Sequence, residues 1–211
     1  DLLDLLNYTE HERVSISEHP RGQQFRTVGI LDPTAAAARP TGDHSLYFGV
    51  NPVADGTAGR GAAADVTRLA ALWTDLDVKP GCCVDREDVE HVISLLSGIL
   101  GTAPSAIVWT GSGGCHPYWP ITDGQIVDEA DRTRAADLLD RWGQLVKQVA
   151  APRQIDSVFD LARVLRVPGS VNTKTGEPQP VTGAHGAGGP LTVAEATDRI
   201  REHLQDMPVT A

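Results

Sequence analysis

The sequence predicts a mixed α/β fold of the α+β class, and three observations carry that expectation. Short β-rich runs recur along the chain, two long stretches repeat apolar residues at helical spacing, and polar chemistry collects where strands end. One of the helical stretches lies between two candidate strands, Leu72 to Val78 and Ser105 to Thr110. Such a strand, helix, strand unit is a crossover, most often right-handed, with parallel strands when both join one sheet.

Asp1 to Glu12 brings Leu2, Leu3, Leu5 and Leu6 close together, as in a short packing helix. Gln24 to Leu31 and Ser45 to Val50 read as strands. Between them, Asp32 to Asp43 places Pro33, Pro40 and Gly42 around an alanine stretch, as in a long hairpin connection or an insertion. After Asn51-Pro52 a segment with Gly56, Gly59 and Gly61 carries Arg60 towards the next strand; it suits a solvent loop or a mobile phosphate-holding one equally. Asp85 is placed to cap a helix whose apolar stripe is Val89, Val92, Ile93, Leu96, Ile99 and Leu100. The turn Gly111-Ser112-Gly113-Gly114 leads into a third strand, Cys115 to Ile121, with His116 and Tyr118 on one face.

A second long helix follows, striped by Leu138, Leu139, Trp142, Leu145, Val146 and Val149 and closed by Pro152. Asp156 to Val167 is a compact segment mixing acids and bases, in which a short capped helix is expected; Pro178 to Thr182 is a candidate last strand. Gly183 to Pro190 has the composition of a linker, and Thr192 with Glu195 forms a capping box for a terminal helix.

With 211 residues and 41% hydrophobic content, the chain has enough apolar material for one substantial core. No apolar run approaches the roughly 20 residues a membrane helix needs, and the start lacks a signal pattern, so no membrane partner and a cytoplasmic location are expected. The first residue is Asp1 rather than Met, as in a processed chain or a piece of something longer. Cys82, Cys83 and Cys115 form no C-x-x-C pair, so they are expected as reduced thiols with no structural zinc. A net charge of −10 argues against broad adhesion to nucleic acid, though not against a local basic groove.

Asp75 and Asp77 alternate with Leu72, Thr74, Leu76 and Val78, so both carboxylates fall on one strand face. Two adjacent anions repel unless a cation lies between them, which points to Mg²⁺ or Mn²⁺; a solvated acidic edge strand has the same pattern. In the glycine turn, backbone amides can approach an anion closely, with Ser112 adding a hydroxyl and His116 an imidazole. The same glycines also suit a plain turn, and His116 a packed residue. Further on, Asp156 or Asp160 is available to complete a metal site, and Arg163, Arg166 and Lys174 supply cations for phosphates. Asp156 is preferred because it precedes the expected helix, where a strand end would aim it at the other acids.

Taken in order, Leu72 to Asp77, Gly114-Cys115-His116 and Ile155-Asp156 resemble the hydrophobic-Asp-x-Asp, small-x-His and hydrophobic-Asp motifs of the archaeo-eukaryotic primase superfamily. The resemblance is to the primase-polymerase (prim-pol) domains of phage and plasmid replication proteins. Arg163 to Lys174 is similar to the R-x-L-R-hydrophobic-P-G-T-x-N-x-K run of mobile-element members, and Tyr47 to Pro52 is also family-like. The likeness spans roughly residues 46–174.

It implies an RRM-like catalytic sheet flanked by helices with a smaller N-terminal α/β portion: residues 1–190 as the prim-pol domain, with an N-terminal part to about 65 and a catalytic core of about 66–182. Residues 191–211 would be a C-terminal helix or a linker towards further domains, a helicase among them. The implied activity is DNA-templated nucleotidyl transfer, as primase and DNA polymerase in replication of a mobile element, from NTPs and dNTPs on a single-stranded DNA template. Two divalent ions on Asp75, Asp77 and Asp156, with Asp160 as the alternative third ligand, would promote attack of a 3′-hydroxyl on the α-phosphate. Ser112, Gly113, Gly114, His116, Arg163, Arg166 and Lys174, with Arg60 from the mobile loop, would hold the nucleotide. For a phage or plasmid protein the location would be the bacterial host cytoplasm. A catalytically silent DNA- or origin-binding module, or a metal-dependent nuclease, would retain the same residues.

Overall fold

The structure is a computed structural model that describes residues 1–20, 22–39, 44–174 and 176–206. Pro40 and Gly42, expected to punctuate the connection after Asp32, and the end of the chain from 207 lie outside the described residues.

Helix α1 (Leu2–Leu5) is followed by strands β1 (Val14–His19) and β2 (Arg26–Leu31), helix α2 (Pro33–Ala37) and strand β3 (Ser45–Gly49). The sequence reading missed β1, although Val14-Ser15-Ile16-Ser17 alternates as a strand does; Ser15 and Ser17 are fully buried as well, which the alternation does not announce. Strand β1 is the middle of the hairpin system, since β2 and β3 both pair with it and not with each other. The stretch read as a hairpin connection is therefore a crossing over β1, and α2 lies in it, started by the Asp32 side chain accepting from the Ala35 amide at 2.8 Å.

The central unit runs β4 (Ala71–Trp73), α3 (Arg86–Leu100), β5 (Ala106–Trp109), β6 (Cys115–Pro120) and α4 (Glu129–Ala150). Strands β4 and β5 both pair antiparallel with β6 between them, so they run parallel to each other, as the crossover expectation requires. Asp85 caps α3 and Asp128 caps α4. The remaining elements are β7 (Val164–Arg166), β8 (Val171–Asn172), β9 (Gln179–Pro180), β10 (Thr182–His185) and α5 (Val193–Asp206).

Three expectations change here. Between Asp156 and Val164 the chain is irregular with a turn, and the short helix expected there does not form. Strand β7 pairs with β3 and completes the sheet β2-β1-β3-β7, so the N-terminal portion does not end near residue 65 but takes a strand from beyond α4. The glycine-rich stretch read as a linker contributes β10, the edge strand beside β5, with order β10-β5-β6-β4. Its small residues are needed for close approach: a Cβ on Gly186 would lie 1.8 Å from the Pro104 carbonyl oxygen. Helix α5, begun by the Thr192–Glu195 capping box, packs on α3 and α4, with Ala196 and Ile200 fully buried.

Neighbouring residues of β6 face opposite sides. Tyr118 meets Phe48 of the N-terminal sheet with ring centroids 6.2 Å apart, and Trp119 meets Trp142 of α4 at 5.4 Å. The central sheet thus lies between the N-terminal sheet and the helices. Trp73, Trp119 and Trp142 are fully buried, and each indole N–H finds a carbonyl: Val158, Thr102 and Trp73 respectively. Each buries on the order of 200 Å², about 5 kcal/mol as an upper figure, with no unsatisfied donor to offset it. No helix among the described residues is long and apolar enough to cross a membrane, and the three cysteines are free and buried.

Two polar links join these layers. The buried Asn51 side chain donates to the Leu161 carbonyl at 3.0 Å and accepts from the Ala70 amide at 2.8 Å, tying the end of β3 to the start of β4 and to the chain before β7. Arg153, just past α4, grips Asp88 in the first turn of α3 through both carboxylate oxygens. That hydrogen bond, with one from the Val84 amide, lowers the Asp88 carboxyl to about 2.

Replacing Asn51 with Ala leaves a buried amide and a buried carbonyl unpaired, at about 1 to 3 kcal/mol each; urea unfolding is expected to show a loss of about 2 to 4 kcal/mol. The Asp88 carboxyl is lower in the folded chain than in the unfolded one, so its contribution is complete above about pH 4 and disappears as pH falls towards 2. Urea unfolding at stepped pH is therefore expected to show Asp88→Asn less stable than wild type at pH 7, with the gap closing below pH 4.

Candidate active site

The site is built on the register between β4 and β6. Ala71 stands opposite Pro120, Trp73 opposite Tyr118, and beyond the strand Leu76 opposite Cys115 in the same register. Asp75 therefore falls directly across from His116. Thr74 faces Pro117, which has no N–H to give, so regular pairing lapses there and resumes at Leu76, whose amide and carbonyl both bond Cys115. Side chains opposite each other in an antiparallel pair share a face. His116 Nε2 lies 3.3 Å from Asp75 Oδ1.

Glycine makes this register possible. A Cβ on Gly114 would stand 2.4 Å from the Leu76 carbonyl oxygen and 3.0 Å from the Asp77 Cα, so only a hydrogen fits between the two chains. The turn before it is closed by the Thr110 amide and hydroxyl, both donating to the Gly114 carbonyl. The Ser112 hydroxyl is 3.1 Å from that of Thr110, and Ser112 and Gly113 are exposed.

Asp75, His116 and Asp156 open into one cleft of about 380 Å³, whose other wall belongs to the N-terminal sheet and the chain around β7 and β8: Tyr47, Arg163, Arg166 and Lys174. Burial pushes the Asp75 carboxyl up, but His116 first and then Lys174 and Lys79 outweigh it, and the group is held below the ordinary carboxylate range. His116 is buried, and among the described residues its Nδ1 has no partner, nor has the hydroxyl of Tyr118. Burial, followed by the charge of Asp75, raises Tyr118 well above the usual phenol value.

The cations are arranged differently from one another. Arg166 is buried, lies 5.1 Å from the centroid of the Tyr47 ring, and donates to the Ser45 hydroxyl at 3.1 Å. Arg163 donates to the Ser157 carbonyl and to Asp160. Asp160 is thereby paired beside the cleft rather than lining it, and Asp156 is the acid that faces Asp75 and His116. Lys174 is set by the Asn172 side chain, which accepts from the Lys174 amide and donates to the Thr110 carbonyl. Arg60 is not part of this assembly. It is exposed three residues before Ala63, whose carbonyl accepts from Arg132 in the first turn of α4, while Asp156 follows the far end of that helix, about 33 Å long.

Asp77 stands beside the cleft with a partner that the sequence reading passed over. Lys79 Nζ lies 2.6 Å from Asp77 Oδ2 and 3.2 Å from Asp156 Oδ2, and these bonds raise the ammonium above its usual value. The signal was present: Asp75, Asp77 and Lys79 continue one period-two row. Among the described residues, no three His, Cys, Asp or Glu side chains close around a single point as they would on a metal ion. The donor chemistry nevertheless fits a hard cation, since Asp77 and Asp156 already share one positive charge, and carboxylate oxygens are what Mg²⁺ and Mn²⁺ take.

Solved structures with this arrangement of elements include the AEP domain of the primase-polymerase of cyanophage S-2L, at a TM-score of 0.64 and 18% identity over 94% of each chain. Primase RepB′ matches at 0.55 and 15% identity over 96% of this chain and 62% of that one. The catalytic domain of primase RepB′ in complex with initiator DNA matches at 0.54 and 15% identity over 98% and 95%. No family model and no curated protein sequence matches the chain. At such identities the likeness is one of fold: this chain has the archaeo-eukaryotic primase fold of primase-polymerase catalytic domains.

Proposed function

We propose that this domain is a DNA-templated nucleotidyltransferase, a primase and DNA polymerase acting in replication of a mobile element. The observation that carries the reading is the cross-strand pair of Asp75 and His116, opening with Asp156 into a cleft whose opposite wall is cationic. Acids on one side and arginine and lysine on the other are what a nucleoside triphosphate requires, since its reacting phosphorus must be approached while its charge is neutralised.

In this reading Asp75, Asp77 and Asp156 hold Mg²⁺ or Mn²⁺, which when bound supplies Lewis acidity at the α-phosphate. The chain's own side chains do the rest. Asp75 stays ionised well below neutral pH because His116 and Lys174 hold its proton affinity down. His116 is held by Asp75 through Nε2 and lines the cleft, where its imidazole is the group this reading assigns to the triphosphate. Arg166 and Lys174, reaching the cleft from β7 and the chain after β8, take the remaining triphosphate charge; Ser112, Gly113 and Gly114, assigned to the same phosphates by the motif, are not among the residues that line the cleft. Arg166 also holds the Tyr47 ring at the cleft wall. The partners of the reading are a single-stranded DNA template, NTPs and dNTPs, and a helicase domain in the full-length protein.

The deciding assay combines the protein with template, labelled NTPs or dNTPs and Mg²⁺ or Mn²⁺, with and without a primer. Elongated products support the proposal; shortened products indicate a nuclease, and binding alone a silent module. In that assay Asp75→Asn and Asp77→Asn are each expected to lower extension about a thousandfold or more while far-UV circular dichroism stays unchanged. Template binding by this acidic domain is expected to be weak, with Kd rising about twentyfold between 50 and 200 mM salt if three cations meet phosphates; fluorescence anisotropy with labelled single strands measures it.

A further inference from the structure

Lys79 has no place in the reading above, yet it makes the closest contacts to two of its acids. Its ammonium joins Asp77, on the chain leaving β4, to Asp156, on the chain leaving α4. All three side chains are substantially exposed, at 45, 31 and 58% for Lys79, Asp77 and Asp156. Exposed ion pairs contribute little to stability, so holding the fold together is a poor account of the bridge. The fold is joined at this point by other means, through Arg153 on Asp88, the Gln154 amide on the Gly81 carbonyl, and the Trp73 indole on the Val158 carbonyl.

What the bridge does change is the charge between the carboxylates. Two facing anions repel, and an ammonium between them lets both remain ionised at close range. A lysine occupies such a place reversibly, as a compact point charge on a flexible stem with no fixed bonding plane. It also stays nearby when displaced, because its backbone is two residues from Asp77.

We infer that Lys79 is a positioning residue, a tethered counter-cation that holds Asp77 and Asp156 facing each other and competes with a divalent ion for their oxygens. The inference rests on the reading of these acids as metal ligands. It explains why the acids are close to one positive charge but not gathered around a shared point: the charge they share is carried by a side chain that must leave. Metal affinity of the domain alone is then set by an exchange, ammonium out and divalent ion in, rather than by filling an open site.

The test is Mn²⁺ binding, followed by the electron paramagnetic resonance signal of free Mn²⁺ with neither nucleotide nor DNA present. The proteins are wild type, Lys79→Met, Lys79→Arg, Asp77→Asn and, as a control for loss of a nearby charge, Lys174→Met. Lys79→Met is expected to bind about tenfold more tightly than wild type. Lys79→Arg keeps a tethered cation and should bind no more tightly than wild type, and Lys174→Met, which removes a cation bonded to neither acid, should change affinity far less than Lys79→Met. Equal affinity in wild type and Lys79→Met, with weaker binding by Asp77→Asn, overturns the inference and leaves the metal reading standing. Equal tightening by Lys79→Met and Lys174→Met also overturns it, reducing the effect to general charge. If no protein in the set binds Mn²⁺, the metal reading of these acids fails, and the inference falls with it.

Discussion

The structure depends on one register. Because β4 and its continuation meet β6 with Asp75 opposite His116, a single alignment of two strands sets the acid, the imidazole and the direction in which both face. A slip by one residue would turn Asp75 towards the helices and bring Leu76 to the cleft, since side chains alternate. Several features oppose that slip at once. Trp73 and Trp119 on the two strands are fully buried, and Gly114 admits the Leu76 carbonyl where any side chain would push it away. Pro117 costs the ladder a donor at the point where the functional pair sits.

The opposite side of the cleft is irregular chain and is held by bonds instead of a ladder. The segment from Arg153 to Val158 is fastened at its first two residues, to α3 and to the loop after Asp77, and at its last, to the indole of Trp73. Asp156 projects from this fastened stretch. Acids on loops gain freedom of placement and lose precision unless the backbone is fixed; here the fixing groups come from the core and from the start of a helix.

Much of this was legible in the sequence because it rests on local rules. Helical spacing marked α3 and α4, Asp85 marked the cap of α3 and Thr192 with Glu195 that of α5, and alternation put Asp75 with Asp77 and His116 with Tyr118. What was not legible depended on partners distant along the chain. Strand β1 carries the alternation Val14-Ser15-Ile16-Ser17, and what no local pattern announces is that its serines are buried too, between two neighbouring strands. Gly183 to Gly189 reads as a linker by composition, whereas in the fold its missing side chains allow an edge strand and a tight approach to Pro104 and Ala103. That Asp156 lines the cleft while Asp160 pairs with Arg163 beside it was likewise not readable from two acids four residues apart. Arg60 was grouped with the phosphate-binding cations by charge and loop composition, and the length of α4 separates them.

The pairing of β7 with β3 bears on how the molecule is made. Gly49 and Val164 are neighbours in one sheet, yet three strands of the central sheet, β4, β5 and β6, and the helices α3 and α4 are synthesised between them. On a ribosome, the first three strands emerge with one long edge of the sheet unpaired, and an unpaired edge is a template for pairing with the wrong chain. That edge closes only once the chain beyond α4 has emerged. Arg166 arrives with the closing strand, so the cationic wall of the cleft and the final seal of the N-terminal sheet are completed in the same step.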